Sequence, residues 1–410
     1  MKVGILTYHC VPNFGAQLQA ISTIGYLKSN GYDPVILHWY PQDLDNLYAK
    51  KVPQNQVDLQ LCFAEENMPI SRICRNENEL IGEIERLNID AIFVGSDALF
   101  RYIPKADRII FSKRKLRFVK KDVLSVEELG NVFQGGYLSK ISRKIPAVAF
   151  SVSSQNSPYH RLDENEKKVL CKCFSNYSKI TTRDEWTRDM VCTITGRSDI
   201  DITPDPVFAF NQNNYLKLPE KQDLLKKYSI PENYVLFSFW GRRLSDKYFQ
   251  QMANGFISNG ITPIALPNPE MLKDCGLKHI INLPLSPIDW YALIKYSRGY
   301  VGERMHPIVT SLHNAVPFFS FDGYGVFQKN YFGLFHSHYI PESSKTYHII
   351  KAAGFEEYNY SYFGKNPLPS ATDVVQKILE FPVEKCKNFS QKQQEKYNVA
   401  MKNVLNYLDR

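Results

Sequence analysis

Residues Arg298 to Asp322, RGYVGERMHPIVTSLHNAVPFFSFD, set two short apolar runs on either side of a helix-forming segment, and few folds accommodate that order. The run ending at Gly302 has the length and bounds of a buried strand, and Val316 to Phe321 those of a second. Pro307 suits the first position of a short helix that turns Ile308, Val309 and Leu312 inward. The result is a compact strand–loop–helix–strand unit whose connecting loop is Glu303-Arg304-Met305-His306. That loop sits at a strand's carboxyl end and a helix's amino end, where free backbone N–H groups and the helix dipole favour an anion. Arg304 adds a planar cation. His306, read as a side chain at the helix start and outside the core, adds a proton that moves near neutral pH. A single His near a helix start is commonly a cap or a satisfied surface group, so the tetrapeptide alone leaves both readings open.

The same alternation runs through the rest of the chain. Residues 2–8 read as a strand, roughly 16–29 as a helix ended by Gly31, and Pro34 to Tyr40 as the next strand. This opening is Rossmann-like, and its lack of GxGxxG argues against a nicotinamide or flavin dinucleotide. In the loop CVPNFGAQ, Asn13 and Gly15 either shape the turn, or Asn13 and Gln17 bind hydroxyls at the strand's carboxyl end. Residues 41–80 are polar and weakly patterned, apart from a helix beginning near Glu77. Asp90 to Val94 is a buried strand that breaks at Gly95-Ser96-Asp97, where Asp97 either caps a helix or serves catalysis.

Ala147 to Val152 and Lys179 to Thr182 are further strands, the second ending at Arg183. Thr203-Pro204-Asp205-Pro206 closes the first half. The polar stretch Asn211 to Gln222 reads as a linker between a domain over 1–210 and one over 223–375. In the second domain, Tyr234 to Trp240 is a strand ending in Gly241-Arg242-Arg243, and Trp290 to Tyr296 a helix. Past Asp322 comes an aromatic and basic loop with Tyr324, Phe327 and Lys329. The amphipathic segment 388–408 has the make-up of a closing helix that folds back across the first domain.

Composition bounds the function more than it names it. No apolar run approaches the roughly 18 residues that a membrane helix needs. The amino terminus reads as a strand, not a signal peptide, and eight cysteines without a CxxC read as the reduced thiols of a cytoplasmic protein. Between Arg101 and Lys121 nine basic residues face only Asp107, which suits either a solvated face or a surface for anionic lipid or a phosphate-bearing acceptor. Nucleic acid is not expected, since no helix-turn-helix, zinc or ribonucleoprotein pattern accompanies the charge. Nothing demands a metal or other cofactor: there is no HExxH.

Five segments in order resemble one family. TYHCVPNFGAQLQA is similar to the Asn-x-Gly-Ala-x-Leu-Gln opening of polysaccharide pyruvyl transferases, and DAIFVGSDALF to their strand ending in Gly-Ser-Asp. ITTRDEWT resembles their Arg-Asp/Glu turn, DITPDPVF their Asp-Pro element, and VGERMHPIVTSLHNAVPFFSFD their final motif. The order agrees from residue 1 to about 330. Pro307 stands where many members carry Gly, and Ala98-Leu99-Phe100 replaces more polar residues, a departure that bears on the acceptor.

The resemblance implies an α/β fold of two Rossmann-like domains facing across a GT-B-like cleft. It implies transfer of enolpyruvate from phosphoenolpyruvate onto two hydroxyls of a sugar, on a polysaccharide or lipid-linked oligosaccharide acceptor, as a cyclic ketal. The residues fit such chemistry. Arg304, Arg242 or Arg243, and Lys329 can neutralise the donor, and His306 is the general acid for its methylene carbon. Asp97 or Asp205 can take a hydroxyl proton, with Asn13, Gln17, Arg183 and Glu303 as further binding candidates. Two other classes compete: a GT-B glycosyltransferase with a sugar-nucleotide donor, for which Glu303 would hold the ribose, and a non-catalytic glycan-assembly protein.

Overall fold

Two six-stranded, all-parallel sheets form the frame of the structure, a computed structural model that describes residues 1–112, 117–241, 243–330 and 335–409. The side chains of 110–112, 328–330 and 335–338 lie outside that description. The first sheet holds β1 (Lys2–Leu6), β2 (Asp33–Ile36), β3 (Ala91–Val94), β6 (Ala147–Val152), β7 (Lys179–Thr182) and β8 (Asp201–Ile202). Their order is β2-β1-β3-β6-β7-β8. The second holds β9 (Tyr234–Ser238), β10 (Thr262–Ala265), β11 (His279–Ile280), β12 (Gly299–Gly302), β13 (Phe318–Asp322) and β16 (Asn359–Ser361). Its order, β11-β10-β9-β12-β13-β16, is the doubly wound pattern in which the chain reverses direction across the sheet between β9 and β12. In the first sheet the reversal falls between β1 and β3. Loops leaving the carboxyl ends at such points splay apart, and they open a crevice in each half.

The strands with continuous apolar runs are those buried on both faces, as parallel strands must be. β3, β6, β9 and β12 are buried along their whole length. Helix α1 (Phe14–Ser29) follows β1, capped by Asn13, whose side chain accepts from the Ala16 N–H. Helices α5 (Glu164–Phe174) and α6 (Glu185–Thr195) flank β7 and begin at Asp163 and Asp184, each accepting from a first-turn amide. In the second half, α8 (Asp246–Ile257) follows β9, α9 (Pro287–Lys295) precedes β12, and α10 (Met305–His313) links β12 to β13.

The polar stretch 41–80 is not a loop. It forms α2 (Gln42–Lys51) and α3 (Gln54–Asn67), each entered from a proline, before α4 (Glu77–Arg86). The apolar period is broken in α3 because that helix buries glutamines at a contact between the two halves. The Gln56 amide donates to the Leu285 carbonyl at 3.0 Å and accepts from the Leu285 N–H at 2.7 Å. Phe14 stacks on Trp290 across the same contact, with ring centroids 5.4 Å apart, a pairing worth about 0.5–1.5 kcal/mol beyond the area it buries.

The region past Asp322 is likewise an antiparallel hairpin, β14 (Val326–Asn330) with β15 (Phe335–Ile340), which leads into α11 (Lys345–Ala352). The basic segment contains another, β4 (Ile109–Ser112) with β5 (Arg117–Lys120). After α7 (Lys221–Tyr228) and α12 (Ala371–Leu379), the chain closes with α13 (Val383–Leu408). This 26-residue helix does return to the first half: Tyr397 lies edge-on against Tyr26 and Phe150. Among the described residues, no helix is long and apolar enough to cross a membrane.

Candidate active site

The loops leaving β1 and β3 face the loops leaving β10 and β12, and between them lies a cavity of about 220 Å³. Asn13 and Gly15 reach it from the first loop, Asp97, Ala98 and Arg101 from the second. Glu270 comes from the loop after β10, Arg304 and His306 from the turn into α10, and Lys345 from the start of α11. Two helix amino ends, those of α1 and α10, thus point at one space.

His306 packs directly against Gly15 across the two halves. Position 15 carries no Cβ, and a methyl there would overlap the His306 ring. Helix α10 starts at Met305, two residues earlier than the position of Pro307 suggests, so His306 occupies its first turn. The expectation of a side chain outside the core is therefore corrected: His306 is only 8% exposed, and its Nε2 has no hydrogen-bond partner among the described residues. Burial pushes its pKa down to about 4, while Asp97 and then Asp205 pull it upward. At neutral pH the free protein holds a neutral imidazole here.

Gly15 gives a direct test of this fit. Ala should improve helix propensity by up to about 1 kcal/mol, yet it would drive the ring away from the cavity. Misplacing a reacting group by about an ångström can cost about 10²-fold in rate. Gly15→Ala should therefore lower kcat by about that factor, with a stability loss of no more than the ~1–3 kcal/mol that overpacking costs. Unchanged turnover would show that the close approach does not matter.

Asp97 sits in the turn after β3 with φ at 99°, a conformation rarely adopted by non-glycine residues. Gly95, just before it, has φ at 149° and lies against the Phe150 carbonyl, which leaves no room for a side chain. Burial acts to raise the Asp97 pKa, but Lys345, His306 and Arg183 together outweigh it and hold the carboxyl well below the usual range. Arg183 joins Asp97 (3.3 Å) to Asp205 (3.0 Å), and all three side chains are at most 5% exposed. Asp205 also accepts from Gln19 Nε2 at 2.7 Å and from the Val207 N–H. Arg183 and Asp205 border a second cavity of about 200 Å³, which shares Met305 and Lys345 with the first.

Arg304 is not a bare cation awaiting an anion. Its Nη2 lies 3.1 Å from both oxygens of Glu270, and its guanidinium stacks 4.2 Å from the Trp240 ring centroid. Burial works against its charge, but Tyr324 and Glu270 more than offset that and keep it protonated. Arg101 has a similar partner, Glu127 at 2.6 Å. Three cations and three carboxylates therefore line the cavity among the described residues: Arg101, Arg304 and Lys345 with Asp97, Glu127 and Glu270. Glu127 and Glu270 thus hold donors of Arg101 and Arg304 for which an anion in the cavity would have to compete.

The remaining expected site residues divide. Arg243 and Glu303 border an adjoining recess with Trp240, Arg304 and Tyr324. There Arg243 stacks on Tyr362 and Phe363, with its guanidinium 4.8 and 5.4 Å from the ring centroids. Both Glu303 oxygens are engaged, one by the Tyr362 hydroxyl at 2.7 Å and the other by the Trp240 N–H; burial raises the pKa of Glu303. Gln17 is not part of either wall. It is fully buried and donates to the Gln60 carbonyl at 2.8 Å, so it holds α3 rather than a hydroxyl of a ligand. Lys329 lies in β14 with its side chain outside the description, and Arg242 is outside the described residues.

Glu270 follows a strand's carboxyl end and could have been found by the rule that singled out Asp97 and Arg304. Lys345 follows no strand of the two parallel sheets; Ser344 before it, the α11 cap bonded to Asp322 at 2.5 Å, helps to place it.

The family model described as polysaccharide pyruvyl transferase matches residues 13–323 of the chain. No curated protein matches. Among solved structures, the UDP-GlcNAc 2-epimerase of Methanocaldococcus jannaschii is similar at 13% identity and a TM-score of 0.55, over 99% of this chain and 100% of its own. UGT89C1 of Arabidopsis thaliana, complexed with UDP, is similar at 10% identity and a TM-score of 0.53, over 99% of each chain. At such identities the likeness is one of fold: two Rossmann-like domains of the GT-B type, facing across a cleft.

Proposed function

This chain belongs to the polysaccharide pyruvyl transferase family, and from that premise we propose that it moves enolpyruvate from phosphoenolpyruvate onto a sugar of a polysaccharide or lipid-linked glycan precursor. The observation that carries the reading is His306 beside Asp97 in a cavity that also holds Arg101, Arg304 and Lys345. In this reading the domain over 223–375 holds the donor, and that over 1–210, with the closing helix, holds the acceptor. The donor's phosphate and carboxylate take the guanidinium groups from Glu270 and Glu127, helped by the amino end of α10. Their negative charge favours protonation of His306, reversing the effect of burial.

His306 then protonates the donor's methylene carbon, which leaves C2 electrophilic. One sugar hydroxyl adds to C2, and its proton passes to a base for which Asp97 is placed. The C2–O bond to phosphate breaks, the second hydroxyl adds to C2 to close the ketal and gives its proton to the departing inorganic phosphate, and the proton taken by the base restores His306. A sugar-nucleotide donor is less well served, because Glu303, the carboxylate needed for a ribose, is already engaged by Tyr362 and Trp240.

Donor-dependent thermal stabilisation separates the readings. Phosphoenolpyruvate should raise Tm and a sugar nucleotide should not; the reverse outcome would replace this reading with a glycosyltransferase. Arg304→Lys should weaken phosphoenolpyruvate about tenfold or more, since a point charge replaces neither a planar fork nor a stacked guanidinium. Unchanged affinity in calorimetry would remove Arg304 from the donor site.

Acceptors of this kind motivate a peripheral membrane contact. On the hairpin β4–β5, Ile109 and Phe118 are 64% and 67% exposed, next to exposed Arg117, Lys120 and Lys121. Residues 113–116, part of the basic run, lie outside the described residues. Each Lys or Arg near an anionic surface contributes about 1 kcal/mol. Co-sedimentation with anionic liposomes should fall in high salt and on changing Arg117, Lys120 and Lys121 together to Gln. Binding unaffected by either, or absent from the start, would leave the hairpin as a solvated face.

A further inference from the structure

Outside the cleft, the geometry points to a metal site, and we propose that His9, Cys10 and His38 together bind one divalent cation of the zinc type. β1 and β2 pair in parallel, so the loops leaving them emerge side by side. His9 and Cys10 come from the first loop and His38 from the second. Their ligand atoms all lie within 4.8 Å of one another, and the two imidazoles meet edge to face.

The orientation of the rings argues more strongly than their proximity. His9 is fully buried, and its Nδ1 lies 3.2 Å from the Thr7 carbonyl oxygen. That contact places the proton on Nδ1 and leaves Nε2 as a lone pair, the arrangement by which a backbone carbonyl orients a metal-ligating histidine. Among the described residues, His9 Nε2 has no hydrogen-bond partner, and neither does the buried Nε2 of His38. A buried ring nitrogen left without a partner is costly. Two of them around one point, next to a thiol, are explained together by a shared cation.

Two imidazoles and a thiol suit zinc, with bonds of about 2.0–2.1 Å to nitrogen and about 2.3 Å to sulfur. Closing the present spread to those lengths needs only modest side-chain movement. Burial raises the Cys10 pKa and lowers those of both histidines; a bound cation would favour the thiolate and the neutral imidazoles alike. Arg75 opposes a cation nearby, but Asp45 at 3.2 Å takes up its charge. Three protein ligands leave the fourth tetrahedral position to a water. Cys10 is followed directly by Val11, Pro12, Asn13, Phe14 and Gly15, which line the cleft, so the cation would pin that wall to the loop after β2.

The full-length protein, stripped with a chelator and dialysed, should bind one equivalent of Zn²⁺ and gain Tm. With Co²⁺ it should develop thiolate-to-metal charge-transfer absorption in the near ultraviolet. Cys10→Ser should abolish that absorption. His38→Gln, at a partly exposed position, should weaken Zn²⁺ binding at least tenfold while its circular dichroism stays that of the wild type. Wild-type protein that binds no Zn²⁺, or gains no Tm from it, would overturn the proposal. So would affinity unchanged in His38→Gln, which would place the cation elsewhere.

Discussion

Replacing His306 with Gln should lower turnover about 10²- to 10⁴-fold, the range that general acid catalysis contributes, with the fold intact. Gln is preferable to Ala because His306 is buried against Gly15, and truncation would leave a void between the two halves. In the free protein burial holds His306 at about 4, so an acid at this position must gain its proton as the donor arrives. The sign of the pH dependence follows. kcat/KM for phosphoenolpyruvate reports the free enzyme and should decline as pH rises above about 4. kcat reports the complex and should hold until the raised pKa of the bound state is passed. His306→Gln should flatten both limbs. Calorimetry in buffers of different ionisation enthalpy should show proton uptake on donor binding by wild type and less by the variant. Turnover within about twofold of wild type would exclude His306 from proton transfer.

How far the sequence led to this site depends on what each residue is bonded to. Asn13, Asp97, Arg304 and His306 were legible because each falls where a parallel strand ends, and the two sheets bring those ends to one cavity. The alternation of apolar runs and amphipathic stretches gave the sheet order no help, but it located most of the strands to within a residue or two. Helices α2 and α3 were not legible. α2 buries only Leu44, and the buried face of α3 carries Gln56 and Gln60, whose side-chain bonds run to the backbone of another element or to none, so no apolar stripe marks either helix. Gln17 was misplaced for a related reason: a polar residue in a loop-to-helix turn looks like a ligand contact until its partner, the Gln60 carbonyl, is known. The carboxylates that neutralise Arg304 and Arg101 were also missed. Glu270 lies 34 residues from Arg304, and no local pattern announces such a pairing.

Arg183 poses the sharpest contrast between a residue that binds substrate and one that holds the site together. Arg183→Met should destabilise the protein by about 3–5 kcal/mol, because removing the central cation of a buried network leaves carboxylates unpaired. Asp97 and Asp205 are those carboxylates, both buried and both bonded to Arg183. Neither can turn to water: Asp205 is fixed to Val207 and Gln19, and Asp97 is held by the turn that begins at Gly95. Adding Asp205→Asn to Arg183→Met should recover part of the loss, since the amide keeps the Val207 cap while removing one stranded charge. The recovered protein should still turn over slowly, because Arg183 also fixes the position of the Asp97 carboxylate at the cavity that holds His306. If Arg183 instead served to bind substrate, its removal would raise KM and leave urea unfolding nearly unchanged. A stability loss below about 1 kcal/mol would favour that role, since breaking a network this deeply buried costs more.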